Sequence, residues 1–189
     1  MKRIVALSAI TAVFAFTTVS NWTVDKAHSN LGFTITHLGI SDINGSFGNY
    51  EVTIHASKDD FSDAVVEMTA DVASINTHID MRDKHLKSAD FFDAEKFPKL
   101  SFKSTAIKAA GKGKYKLTGD LTLHGITKPV TLDLWHRGTI EHPMSKAPTS
   151  GFQVTGMIRR SDFNLGAGFP APMLSDEVHI KADGEFSKQ

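Results

Sequence analysis

Cysteine is absent from this chain of 189 residues. Its absence excludes disulfides, thiol catalysis, iron–sulfur ligation and a lipid-anchoring cysteine. Basic runs are also missing: without Lys2 and Arg3, 19 of the 21 basic residues remain against 21 acidic ones, so nucleic acid is not an expected partner. An apolar core must therefore hold the fold together, and 41% hydrophobic with 22% charged residues is an ordinary globular composition.

Catalytic and metal-binding motifs are likewise missing. The nine histidines never occur as H-x-H, H-x-x-x-H or HExxH, and G-x-S-x-G is absent. Zinc sites and hydrolase nucleophiles depend on such spacings, because these place the ligands or the nucleophile correctly. We therefore predict no metal site, no cofactor and no hydrolytic centre.

One apolar run stands out, at residues 4–16 behind the basic start Lys2-Arg3. It is shorter than the roughly 20 residues that a membrane-spanning helix requires, and Thr17, Thr18 and Ser20 follow it. This pattern predicts a secretory signal at residues 1–20, cleaved after Ala15 or Ser20, with an exported domain at residues 21–189 and no membrane span after processing. An uncleaved anchor is the alternative.

From Trp22 onward, apolar and polar side chains alternate with a period of two, as in strands with one buried face. We predict eight such strands, at residues 31–35, 50–55, 66–72, 100–107, 115–123, 130–134, 152–158 and 178–182. Turns are predicted at Asn44-Gly45, at residues 111–113 and at His124-Gly125, with an irregular loop at residues 141–151. This pattern is typical of antiparallel all-β proteins, and it leaves a barrel and a sandwich equally open.

The best helical candidate is short and lies between two predicted strands. Thr77 or Asp80 would cap it, and Met81, His85 and Leu86 have approximate helical spacing within residues 77–88. Such an insertion can plug or rim the mouth of a barrel. Directly after it come four phenylalanines, which are Phe91, Phe92, Phe97 and Phe102.

Four sequence blocks, in this order, resemble the YceI-like family: WTVDKAHSNLGFTITHLGISDINGSFGNY, RDKHLKSADFFDAEKFPKLSFKS, LTGDLTLHGITKPVTL, and RSDFN followed by LSDEVHI. The resemblance covers essentially residues 22–185. The resemblance implies an eight-stranded antiparallel barrel of lipocalin-like architecture in the periplasm, with a long isoprenoid or other lipid in its lumen and a homodimeric assembly. Asn164 stands where the pattern usually has glycine, and asparagine tolerates a left-handed backbone better than most residues.

In such a barrel the inward rows would line the lumen, and the phenylalanine cluster would form its wall or closed end. The expected lumen residues are Phe33, Ile35, Met68, Phe91, Phe92, Phe102, Leu121, Leu123, Ile158 and Phe163. The expected polar end, with donors for a head group, consists of His37, Arg82, His85 and Arg160. The alternative is a solvated or salt-bridged rim that only fixes loops, formed by Arg82, Asp83, Lys84 and Asp162.

We therefore expect a non-enzymatic carrier for a polyisoprenoid, an isoprenoid quinone or a fatty-acid derivative. The first alternative is an enzyme or redox accessory acting on the bound lipid, with His28, His37 or His85 as proton shuttle. The second is a structural or interaction module in which the apolar rows merely fill a packed core.

Overall fold

The computed structural model describes residues 18–189, so residues 1–17 of the predicted signal segment lie outside the described residues. The described part contains ten strands, one α-helix (α1, Asp80–Leu86) and two 3-10 helices, Val72–Ser74 and Arg160–Phe163. The strands are β1 Ser20–His37, β2 Ser41–Phe47, β3 Tyr50–Ala56, β4 Val65–Asp71, β5 Ile75–Asn76, β6 Lys99–Gly111, β7 Lys114–Leu123, β8 Ile126–Glu141, β9 Pro148–Arg159 and β10 Leu174–Lys188.

Eight of these strands form a closed antiparallel ring in the order β1, β3, β4, β6, β7, β8, β9, β10. Strand β1 closes the ring, because one of its edges pairs with β10 while the other pairs with β3 near its start and with β2 near its end. The short strand β5 extends the sheet by pairing with β2. The predicted eight-stranded antiparallel barrel with one inserted helix is confirmed.

Each of the eight predicted strands overlaps a strand of the ring, although Val72 already belongs to a 3-10 helix. The irregular loop predicted at residues 141–151 is shorter, because β9 begins at Pro148.

One predicted turn is wrong. Asn44 and Gly45 lie inside β2, and the chain reverses at residues 38–40 instead. Gly45 pairs with Phe33 of β1, and a Cβ atom at Gly45 would lie 2.3 Å from the Phe33 ring. The glycine thus makes room for an aromatic ring inside the barrel rather than supplying a hairpin turn.

Helix α1 lies inside the predicted span of residues 77–88, but it is not capped as expected. Its N-cap is Ile79, and no side chain caps it. Thr77 instead donates from its backbone nitrogen and its hydroxyl to the Asp83 carboxylate, at 2.8 and 2.5 Å. Both residues are buried, so this pair fixes the first turn of the helix onto the segment that follows β5.

Buried aromatic residues close the barrel at the end where β1 begins. Phe61 is 1% exposed and makes edge-on contacts with Trp22 and Phe152, at ring-centroid distances of 5.2 and 4.9 Å. His136 packs against the same ring at 4.7 Å. The backbone of Phe61 has a φ of 60°, which is unusual for a bulky side chain. We call Trp22, Phe61, His136 and Phe152 the aromatic plug.

Candidate functional site

The barrel encloses a cavity of about 570 Å³. Such a volume falls within the range of small-molecule pockets. Side chains from all eight ring strands line it, together with α1 and the loop between β9 and β10, and nearly all of them are apolar. The barrel is therefore not a fully packed core, which argues against the structural-module alternative.

Nine of the ten expected lumen residues line this cavity. They are Phe33, Ile35, Met68, Phe91, Phe92, Phe102, Leu121, Leu123 and Ile158. The four expected polar-end residues, His37, Arg82, His85 and Arg160, line it as well. Sequence reasoning had thus placed thirteen of its fourteen candidates on one surface.

Phe163 is the exception, because it does not belong to the cavity lining. It is 1% exposed within the 3-10 helix that follows β9, and its carbonyl oxygen lies 3.1 Å from Nδ1 of His124. Strand β9 ends at Arg159 and Phe163 lies in the 3-10 helix that follows, so the alternation of β9 does not determine where this side chain points. The next residue, Asn164, has a left-handed backbone with a φ of 53°, as the sequence had indicated.

The phenylalanine cluster forms a wall at the α1 end of the cavity. The rings of Phe91 and Phe169 stack at 4.8 Å, and His85 packs edge-on against both, at 5.0 and 5.5 Å. Phe97 lies outside the lining and packs against His124 at 4.8 Å. The closed end is formed by the aromatic plug, at the opposite end of the barrel.

Arg82 places a half-buried guanidinium at the α1 end. Its Nε donates to the Thr77 hydroxyl at 2.7 Å, and Nη2 donates to the Thr77 carbonyl at 2.6 Å. Within residues 18–189, no hydrogen bond engages Nη1 of this guanidinium. Arg82 is therefore held in place by one edge and keeps donors for a polar group in the cavity.

The two histidines of the polar end differ in how they are held. His85 is exposed, and its Nε2 lies 3.0 Å from the Asp90 carboxylate. The His37 ring is half-buried at the end of β1 and forms no hydrogen bond with a described residue. His28, the third candidate proton shuttle, does not line the cavity; its ring contacts Asp25 at 2.8 Å.

Arg160 is 6% exposed and directs its whole guanidinium at backbone carbonyls. Nε donates to Ser175, Nη1 to Leu165 and Gly166, and Nη2 to Phe169 and Leu174. An arginine has five N–H donors, so none remains for a ligand. Arg160 therefore braces the loop at residues 164–173, instead of offering the donors for a head group that the sequence had led us to expect.

Tyr50 is a feature that sequence reasoning missed. It lines the cavity, is 6% exposed, and its buried hydroxyl has no hydrogen-bond partner among the described residues. Burial, followed by the nearby Asp25 carboxylate, raises the pKa of Tyr50. The alternation of the predicted strand at residues 50–55 indicated that Tyr50 faces the interior of the barrel. Nothing in the sequence indicated that its hydroxyl lacks a hydrogen-bond partner.

One group of potential metal ligands occurs among residues 18–189. Ligand atoms of Asp25, His28 and Glu185 lie within 4.8 Å of one another outside the cavity. The hydrogen bond between Asp25 and His28 lowers the pKa of Asp25 and raises that of His28. This contact suffices to explain why these two side chains lie together.

The chain matches known proteins over nearly its whole length. The YceI-like domain matches residues 22–186. A UPF0312 protein of Staphylococcus aureus strain bovine RF122 is 38% identical over 173 residues, covering 89% of this chain and 98% of the relative. Among residues 18–189, no helix is both long and apolar enough to cross a membrane.

Solved structures match as well. The Campylobacter jejuni YCEI protein is 34% identical, with a TM-score of 0.74 over 88% of this chain and 97% of that one. A polyisoprenoid binding domain from Saccharophagus degradans, implicated in plant cell wall breakdown, has a TM-score of 0.68 over 91% of this chain and 100% of that domain. It is 16% identical, so its likeness concerns the fold.

Proposed function

Because this chain belongs to the YceI-like family, we propose that it binds a long-chain amphiphile, such as a polyisoprenoid, inside its barrel. The observation that carries the proposal is the apolar cavity of about 570 Å³. The similarly folded domain from Saccharophagus degradans, described as polyisoprenoid binding, supports this ligand class. An isoprenoid quinone or a fatty-acid derivative would use the same apolar wall.

Burial of the lipid tail supplies the binding energy. Each buried CH₂ group contributes about 0.8 kcal/mol, so about twenty enclosed carbons give on the order of 16 kcal/mol before costs. Noncovalent affinities level off at roughly 18 to 21 kcal/mol. Apolar contact is therefore ample, and the ordering of a flexible tail within the cavity volume sets the net affinity.

The polar groups at the α1 end orient the ligand. Arg82 retains Nη1 donors and the His37 ring is unpaired among the described residues, whereas the donors of Arg160 are all engaged. A phosphate, carboxylate or carbonyl head group at this end would pair with Arg82 and His37. The tail then extends toward the aromatic plug.

In the cell, the protein is an exported carrier. The predicted signal at residues 1–20 directs it to the periplasm, where it holds or transports the lipid without converting it and without a cofactor. The nearly apolar lining supports binding rather than chemistry, since proton transfer needs groups placed at a reacting atom. Its oligomeric state in this role is expected to be a homodimer.

Extraction of lipid from the purified protein tests the proposal. Mass spectrometry should detect a stoichiometric amphiphile in the wild type and much less in Ala182→Trp, because Ala182 lines the cavity and a tryptophan would fill it. Ala106→Trp is the matched control: Ala106 is exposed and pairs with Thr118 on the outer face of the barrel. Incubation with an isoprenoid substrate should leave that substrate unchanged.

Two results would contradict the proposal. The first is an empty wild-type protein that also fails to bind added isoprenoid lipids. The second is turnover of the isoprenoid, which would favour the enzymatic alternative with His37 or His85 as proton shuttle.

A further inference from the structure

Five large apolar side chains project into solvent at the α1 end of the barrel. We call them the apolar rim: Leu38, Ile40, Ile79, Met81 and Met173, exposed by 52, 85, 53, 84 and 47%. Isolated exposed apolar residues are common, but several grouped around one opening mark an interaction surface.

The rim residues belong to three segments that meet at this end. The backbone nitrogen of Leu38 donates to the carbonyl of Met173 at 3.0 Å, which joins the turn after β1 to the loop before β10. Ile40 lies in the same turn, where its nitrogen donates to the carbonyl of His37 at 3.2 Å. Ile79 and Met81 stand at the start of α1.

Helix α1 divides its side chains between the cavity and the solvent. Arg82, His85 and Leu86 line the cavity, whereas Met81 and Lys84 are exposed. The exposed part of the helix therefore faces away from the cavity. Asp80 and Lys84 flank Met81 with charges that offset each other.

The two rim loops contain no charged residue. The turn is Leu38-Gly39-Ile40, and the loop at residues 164–173 reads NLGAGFPAPM. Within it, Pro170, Ala171 and Pro172 are exposed. Arg160 holds this loop through its carbonyls. Leu165 and Phe169 line the cavity, while Met173 is exposed.

The rim is continuous with the cavity. Met173 belongs to the rim and also lines the cavity, and exposed His85 lines it beside Phe169. A lipid leaving at this end would pass directly between rim side chains. If the rim faced water, the tail would cross an aqueous gap at a cost of about 0.8 kcal/mol for each exposed CH₂.

We propose that the apolar rim docks onto the surface of a lipid bilayer and opens the cavity toward it. The inference rests on the proposed lipid-binding function and adds the surface from which the ligand is exchanged. Rim side chains enter the boundary between head groups and acyl chains, as in proteins that lie on a membrane without crossing it. The charge-free loops offer no ion pairs with which to select a protein partner, and they suit acyl chains.

Vesicle flotation with neutral phosphatidylcholine tests the docking. The full chain should float with the vesicles. Ile40→Asp/Met81→Asp should bind at least about tenfold more weakly, because two side chains that would enter the bilayer become charged. The matched control is Ile140→Asp/Met144→Asp, since these residues are 64 and 85% exposed at the opposite end of the barrel. There, Glu141 and Lys146 form an ion pair of 3.5 Å beside them.

A second measurement separates this inference from the proposed function. Neither Ile40 nor Met81 lines the cavity, so the rim variant should still bind a soluble isoprenoid probe as the wild type does. Docking is refuted if the wild type does not float or if both double variants lose flotation equally. It is also refuted if Ile40 and Met81 are needed to bind a protein partner and not to bind vesicles. If the wild type itself does not bind the isoprenoid probe, the lipid-binding function is refuted instead.

Discussion

Nη1 of Arg160 donates to the carbonyl oxygen of Gly166 at 2.6 Å, which ties the end of β9 to the loop that forms part of the apolar rim. The same guanidinium reaches four further carbonyls, and no carboxylate pairs with it among the described residues. All hydrogen bonds of this buried cation thus go to backbone carbonyls.

Replacing Arg160 with methionine should therefore strongly destabilise the fold. The variant removes five hydrogen bonds to buried or partly buried carbonyls, of which that of Gly166 keeps a further donor, the backbone nitrogen of Phe169. Each unsatisfied group costs about 1 to 3 kcal/mol, so we expect a loss of about 3 kcal/mol or more. Urea denaturation measures the difference. The neighbouring Arg159→Met is the control, because Arg159 is exposed; a loss as large in this control would contradict the bracing role.

Replacing Tyr50 with phenylalanine should raise the free energy of unfolding by about 1 kcal/mol. The buried hydroxyl has no described partner, so its removal ends a desolvation cost without breaking a hydrogen bond. The chain's other tyrosine provides the contrast, because the Tyr115 hydroxyl donates to the Asp60 carbonyl. Tyr115→Phe should lower stability by about as much, and a loss in both variants would show that Tyr50 has a partner.

Head-group recognition should depend on Arg82. Arg82→Ala should weaken binding of a pyrophosphate-headed isoprenoid by roughly tenfold, which corresponds to one charge-assisted hydrogen bond, and should affect a neutral isoprenoid less. Competition with a fluorescent lipid measures both affinities. Arg159→Ala is again the control. Equal losses for the two lipids would assign Arg82 a purely structural role through Thr77.

Stability should fall on mild acidification because of His136. Burial within the aromatic plug lowers the pKa of His136 below its ordinary value of 6.5. Protons then bind the unfolded chain more readily, so the free energy of unfolding decreases as pH falls from about 6.5 through the lowered pKa. In His136→Phe this part of the decrease should disappear.

Chemical denaturation at several pH values between 7.5 and about 5 measures the effect of His136. The exposed His179 supplies the control, and His179→Gln should retain the acid-dependent decrease of the wild type. A His136→Phe protein with an unchanged pH profile would show that this imidazole titrates as in the unfolded chain.

Strand alternation made the barrel wall predictable. Residues such as Phe33 and Leu121 stand in clear period-two rows, and those rows turn inward. Strand β2 escaped prediction, since its sequence SDINGSF has few apolar residues and its Asn-Gly pair imitates a hairpin turn. The prediction for Phe163 was wrong because this residue belongs to the 3-10 helix Arg160–Phe163 rather than to a strand that lines the cavity.

The sequence predicted which polar residues lie at the α1 end of the cavity, but it did not predict which of them keep hydrogen-bond donors for a ligand. Arg160 and Arg82 both line the cavity, yet one has no donor left and the other keeps its Nη1 donors. The difference arises from backbone carbonyls and from Thr77, whose approach depends on the tertiary fold. Carbonyls are common to every residue, so the sequence carries no sign of which of them converge.

The aromatic plug determines the route of exchange. Phe61 and Trp22 are buried across the far end, so a chain cannot be threaded lengthwise through the barrel. A lipid bound in the cavity can therefore leave only past α1, with its head group first. Each additional isoprene unit then lengthens the withdrawal, so long-chain lipids should be released more slowly even where a longer tail adds nothing to recognition.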